Sequence, residues 1–159
     1  MEVYPSGLRR IDSISEQPRK LVPSSSTASD PPETLLVVDD DEIMRSLEAR
    51  ILSGKGYQVL QAASPAEALR LAGVTATIHL LLADFWMPEV DELELARSFR
   101  TMHPEAPVLL VSGSQSWTHD KIRDLDRFET LEKPFTANEL LHGVSRLLHA
   151  AAHLQIRAR

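Results

Sequence analysis

Three short apolar runs constrain this chain more than anything else in it: "TLLVVDD" from Thr34, "IHLLLAD" from Ile78 and "APVLLVSGS" from Ala106. Each is too short for a core helix and too continuously apolar for a half-exposed strand, which leaves a strand covered on both faces. Each also closes on a polar group, Asp39, Asp84 or Ser112. In α/β folds the carboxyl ends of parallel strands form the rim where ligands bind, so these three residues are candidates for a site.

Between the runs the pattern turns helical. Ile43, Leu47 and Ile51 fall on one helical face that Gly54 and Gly56 end. "YQVLQA" predicts a second strand, and "SPAE" follows it with Ser64 as N-cap, Pro65 at the first helical position and Glu67 three residues after the cap. Leu95, Phe99 and Met102 mark the stripe of a third helix, and a fourth is predicted around Thr118 to Asp126. "TLEKPF" predicts a short fifth strand, and the Thr136 and Glu139 of "TANE" open a fifth helix carrying Leu140, Val144, Leu147 and Ala151. Strands joined through helices run parallel with right-handed crossovers. The expected fold is therefore α/β: a flavodoxin-like, doubly wound sheet of five strands in the order 2-1-3-4-5 with five helices. Residues 1 to 33, rich in Ser and Pro, are expected to form a flexible leader, residues 34–150 the domain, and 151–159 the helix end and a short basic tail.

A chain of 159 residues holds one domain with a full core. Its net charge of -6 argues against DNA as a partner, since nucleic-acid binders are usually basic, and Arg157 with Arg159 makes too small a basic patch. The absence of cysteine excludes disulfides and thiolate metal sites. No apolar run is long enough to span a bilayer, and Met1 to Lys20 lacks the apolar centre of a signal peptide. The expectation is a cytoplasmic protein without a membrane partner.

In the 2-1-3-4-5 order the first and third strands are neighbours, so Asp39, Asp40 and Asp84 converge. Carboxylates so placed repel one another and call for a cation. Oxygen ligands suit Mg²⁺, which keeps coordination positions for water and phosphate oxygens. Ser112 and Lys133 reach the same rim and add a hydroxyl and a positive charge, a set suited to a phosphoryl group with an aspartate as nucleophile. Asp41 and Glu42 are read instead as a helix N-terminus. A calcium loop fails on spacing: Met44 and Arg50 stand at the sixth and twelfth positions from Asp39, where Gly and Glu are needed. His149 and His153, at helical spacing, are read as solvent-exposed.

From about Leu35 to Leu148 the motifs "VVDDDE", "ADFWMPEVDELEL", "LLVSGS" and "LEKPF" resemble, in order and near spacing, the receiver domain of bacterial two-component response regulators. The resemblance implies that Asp84 accepts a phosphoryl group from a sensor histidine kinase or a histidine phosphotransfer protein. It implies that Asp39 and Asp40, with Asp84 and the backbone carbonyl of Trp86, hold Mg²⁺. Ser112 would be the switch hydroxyl, Lys133 would contact the phosphoryl group, and Pro134 would follow a cis peptide. The output surface would be the fourth helix, fifth strand and fifth helix, acting by protein contacts rather than turnover of a small substrate. Two positions depart from the family: Thr130 stands where an aromatic switch residue is usual, with Phe128 nearby, and Glu92 replaces a loop glycine. Two alternatives stay open. One is a receiver-fold interaction module that no longer switches. The other is a haloacid dehalogenase-type phosphohydrolase with Asp39 as nucleophile and Asp41 as acid, which leaves Asp84 unexplained.

Overall fold

A computed structural model describes residues 31–84, 92–113 and 127–157. The expected leader, the helix around Thr118 to Asp126 and Trp86 lie outside the described residues. Strands β1 (Thr34–Val38), β2 (Gln58–Ala62), β3 (Leu80–Asp84), β4 (Val108–Ser112) and β5 (Phe128–Glu132) form one parallel sheet in the order β2-β1-β3-β4-β5. The helices are α1 (Glu42–Ser53), α2 (Pro65–Val74), α3 (Glu92–Met102) and α4 (Ala137–Arg157), the last being the fifth helix expected from the sequence.

The unbroken apolar runs follow from what covers the sheet. Alternate residues of a strand face opposite sides. Leu36, Val38, Leu81, Ala83, Val108 and Leu110 pack with Ala68 and Ala72 of α2 and Leu95, Ala96 and Phe99 of α3. Leu35, Val37, Leu80, Leu82, Leu109 and Val111 pack on the other side with Leu52 of α1 and Leu140, Val144 and Leu147 of α4. The central strands thus have no solvent face. The edge strands β2 and β5 are only partly covered instead, with four of the five residues of β2 and all five of β5 half-buried or exposed.

Helix starts follow the capping chemistry. Ser64 Oγ accepts from Glu67 N at 3.2 Å, and the Glu67 carboxylate reaches back to Ala63 N at 2.9 Å. At α4, Thr136 Oγ1 accepts from Glu139 N at 3.2 Å while Glu139 Oε2 accepts from Thr136 N at 2.7 Å. Ser64→Ala is expected to lower stability by about 1 kcal/mol, read as a shifted urea midpoint at unchanged slope. No shift would mean that the cap contributes nothing to α2.

Three details differ from the expectations. In α1 it is Glu48, Ala49 and Leu52 that are buried, whereas Ile43 is 78% and Leu47 48% exposed. The periodicity located the helix but not the face it turns inward. In α3, Leu95 and Phe99 reach the core, but Met102 at the helix end is 39% exposed. Strand β5 begins at Phe128 and stops before Lys133, two residues short of Pro134, which has no N–H for a ladder.

His103 was not anticipated as a buried residue. Its ring stacks on Phe99 with centroids 5.2 Å apart. Ile78 N donates to Nδ1 at 3.4 Å, and Nε2 lies 3.0 Å from the Ala72 carbonyl, so one tautomer, with the proton on Nε2, satisfies both contacts. His103 thereby joins the ends of α2 and α3 to the start of β3. His149 and His153 are exposed, as expected.

Candidate functional site

The register of the sheet assembles the site. Val38 pairs with Ala83 and Asp84 with Val111, so Asp39 and Asp84 leave the sheet side by side. Ser112 pairs with Glu132, and Lys133 N donates to the Ser112 carbonyl at 2.7 Å, which brings the lysine to the same rim. The Lys133–Pro134 peptide is cis. Lys133 Nζ lies 3.2 Å from Asp84 Oδ2 and 3.4 Å from Asp39 Oδ2. Carboxylate oxygens of Asp39, Asp40 and Asp84 lie within 4.8 Å of one another. The structure thus brings together Asp39, Asp40, Asp84 and Lys133, with Ser112, buried, at the adjacent strand end.

Asp39 is the most constrained member. It is fully buried; Asp41 N donates to its Oδ1 at 2.8 Å, and Arg45 Nη1 donates to its carbonyl at 2.7 Å. Burial, helped by the Asp84 charge, raises its pKa above its ordinary value, against the opposing effects of the Asp41 amide and Lys133. Burial works to lower the Lys133 pKa, but Asp39 and Asp84 outweigh it and the lysine is held above its ordinary value, firmly charged. Asp40 is exposed at the mouth, and Asp84 is partly buried.

Asp41 does not join the cluster. Its carboxylate caps α1, accepting from Ile43 N at 2.8 Å and Met44 N at 3.2 Å. An acid tied to a helix N-terminus is poorly placed to serve as the general acid of a phosphohydrolase. Thr130 is exposed on β5, while Phe128 is half-buried against the α2 and α3 side of the core.

Sequence reasoning missed two residues of α1. Arg45 binds the Asp39 carbonyl, and Glu48, 2% exposed, lies close enough to Asp39, Lys133 and Asp84 to feel their charges. Burial first, then the Asp39 charge, pushes the Glu48 carboxyl up to about 8. Charged residues at these helical positions read as a solvated face, and only the orientation of α1 shows otherwise.

An α/β domain with an acidic, lysine-bridged pocket at the switch point of a 2-1-3-4-5 sheet is the class that fold and site define. The chain belongs to the response regulator receiver domain family, whose model matches residues 35–145. It is 35% identical over 119 residues to the response regulator MprA of a Mycobacterium species, covering 74% of this chain and 51% of that protein. It is 32% identical over 117 residues to the sensor kinase CckA of Brucella abortus, covering 72% of this chain and 12% of the kinase. The chain therefore spans about half of the first relative and 12% of the second. Among solved structures, the receiver domain of the hybrid histidine kinase CckA matches with a TM-score of 0.62 at 34% identity, over 72% of this chain and 98% of that one. A response regulator receiver protein from Sinorhizobium medicae matches with a TM-score of 0.67 at 28% identity, over 76% and 97%. Receiver domains bind Mg²⁺ at an acidic pocket, and the three carboxylates here are hard oxygen donors of the type that ion takes. Among the described residues no helix is long and apolar enough to cross a membrane.

Proposed function

We propose that this domain is the phosphoacceptor of a two-component phosphorelay and that Asp84 carries the phosphoryl group. The observation that carries the reading is the Lys133 ammonium bridging Asp84 and Asp39 beside the three-carboxylate cluster. An Asp84 carboxylate oxygen attacks phosphorus, and the bond from phosphorus to the donor's leaving group breaks. The donor is a phosphohistidine of a sensor kinase or histidine phosphotransfer protein, and its imidazole leaves with the electron pair and takes a proton from water. Asp39 and Asp40, with Asp84 and the backbone carbonyl of Trp86, would hold Mg²⁺, which supplies charge neutralisation for the phosphoryl oxygens. Lys133 stabilises the same charge, and the Ser112 hydroxyl donates to a phosphoryl oxygen. The product is an acyl phosphate that reports a signal, so the domain acts as a switch rather than as a turnover enzyme. A cytoplasmic kinase partner fits this reading.

Ile43 and Leu47 stand exposed on α1 beside the pocket and offer an apolar surface to the phosphodonor protein. The output would pass through the predicted helix around Thr118 to Asp126, β5 and α4, and the net charge of -6 favours a protein partner over DNA. Thr130, exposed on β5, has no ring to swing inward, so the signal would pass without the usual aromatic movement.

Intact-mass analysis after incubation with acetyl phosphate tests the phosphoacceptor reading, with and without Mg²⁺, on the wild type and on Asp84→Ala. The expected result is one phosphoryl adduct that needs Mg²⁺ and is absent from Asp84→Ala. An adduct that survives the substitution would move the acceptor to Asp39, and a folded wild type without any adduct would leave the non-switching module.

A further inference from the structure

We infer that Arg45 is a positioning residue for the acidic pocket, holding the turn between β1 and α1 in its metal-ready shape; this rests on the receiver reading above. The residue follows Asp39 by six positions and returns from the second turn of α1 to donate Nη1 to the Asp39 carbonyl at 2.7 Å. A cationic donor on a backbone carbonyl makes a short, charge-assisted bond, and this one is partly buried. It is one of several bonds fixing Asp39. The backbone N–H donates to the Ala62 carbonyl at 3.3 Å, Oδ1 accepts from Asp41 N, and Oδ2 faces Lys133. Of these, the bond from Arg45 is the only one that ties the Asp39 backbone to a side chain of α1 among the described residues. The turn it closes carries both Asp39 and Asp40, two of the three clustered carboxylates. Helix orientation supports the same role. The helix α1 buries Ala49 and Leu52 in the ordinary way, but at its pocket end Ile43 and Leu47 face solvent while Arg45 is half-buried and Glu48 buried.

The sign of the effect separates positioning from simple charge. Arg45 is a cation near a cation site, so if it acted only through its field, removing it would tighten Mg²⁺ binding. If it holds the ligand turn, removing it weakens binding, as loss of residues that orient metal ligands commonly does, by about 10- to 100-fold. The probe is Mg²⁺ alone, titrated calorimetrically into the full chain without phosphodonor. Arg45→Met, which keeps the apolar stem, and Arg45→Lys, which keeps a cationic donor, are compared with the wild type, with urea unfolding in chelator to verify that each folds. The expected result is at least about tenfold weaker Mg²⁺ binding in Arg45→Met, an intermediate value in Arg45→Lys, and acetyl phosphate labelling of Arg45→Met recovered at raised Mg²⁺. Binding in folded Arg45→Met equal to or tighter than wild type would overturn the inference while leaving the receiver reading intact. A wild type that neither binds Mg²⁺ nor takes the phosphoryl group would overturn that reading and the inference with it.

Discussion

Phe99→Ala is expected to lower the unfolding free energy by about 3–5 kcal/mol, the range for removing a buried aromatic ring. The ring is fully buried where α3 meets the sheet, among Leu36, Leu81, Leu95 and Leu110. Its loss leaves a cavity that neighbouring strands, hydrogen-bonded on both sides, cannot close. It also removes the stacking surface of His103, whose two ring nitrogens hold Ile78 N and the Ala72 carbonyl. Domains of this size have only about 5–15 kcal/mol in hand, so the variant should unfold at markedly lower urea with an unchanged slope. Phe99→Leu, which keeps most of the volume, should lose clearly less. A loss below about 1 kcal/mol in Phe99→Ala would mean that α3 is not docked through this ring.

The elements that sequence reasoning placed best are those in which one physical demand dominates. Strands β1, β3 and β4 must be apolar on both faces, so their runs are unbroken and their polar ends, Asp39, Asp84 and Ser112, stand out. The helix starts at Ser64 and Thr136 are fixed by local hydrogen bonds that the sequence spells out. Edge strand β5 has weaker patterning because solvent covers part of it, and its start at Phe128 was misplaced by two residues. The α1 face was less legible still. Ile43, Leu47 and Ile51 form an apolar stripe as regular as any in the chain, yet only Ile51 of the three packs on the core, beside the fully buried Leu52, and Ile43 and Leu47 face solvent. That orientation brings Arg45 and Glu48 toward the pocket. Neither residue carries a local signal, because the partners that give them meaning, the Asp39 carbonyl and the buried charges around it, belong to other elements.

Glu48→Gln should change how stability depends on pH more than any other single substitution near the pocket. In the folded chain burial, reinforced by Asp39, raises the carboxyl from 4.5 to about 8. Below about pH 4.5 the folded and unfolded chains both hold the proton and the group contributes no pH dependence. Between that value and about 8 the unfolded chain releases a proton that the folded chain keeps, so stability falls by about 1.4 kcal/mol per pH unit. Above about 8 both forms are ionised and the loss levels off, at a ceiling of about 5 kcal/mol. Glutamine has the same shape and no proton to lose. Urea unfolding in chelator from about pH 5 to about pH 9 should therefore show the variant gaining on the wild type by several kcal/mol, with the gain complete near pH 8. Asp39 and Lys133 are present in both proteins, so their own titrations largely cancel in the difference. A constant difference across the range would show that Glu48 ionises in the folded chain as it does in water, and that α1 leaves it more hydrated than its 2% exposure indicates. Mg²⁺ should diminish the effect, because a dication held by Asp39 and Asp84 offsets the negative charges that help keep Glu48 protonated.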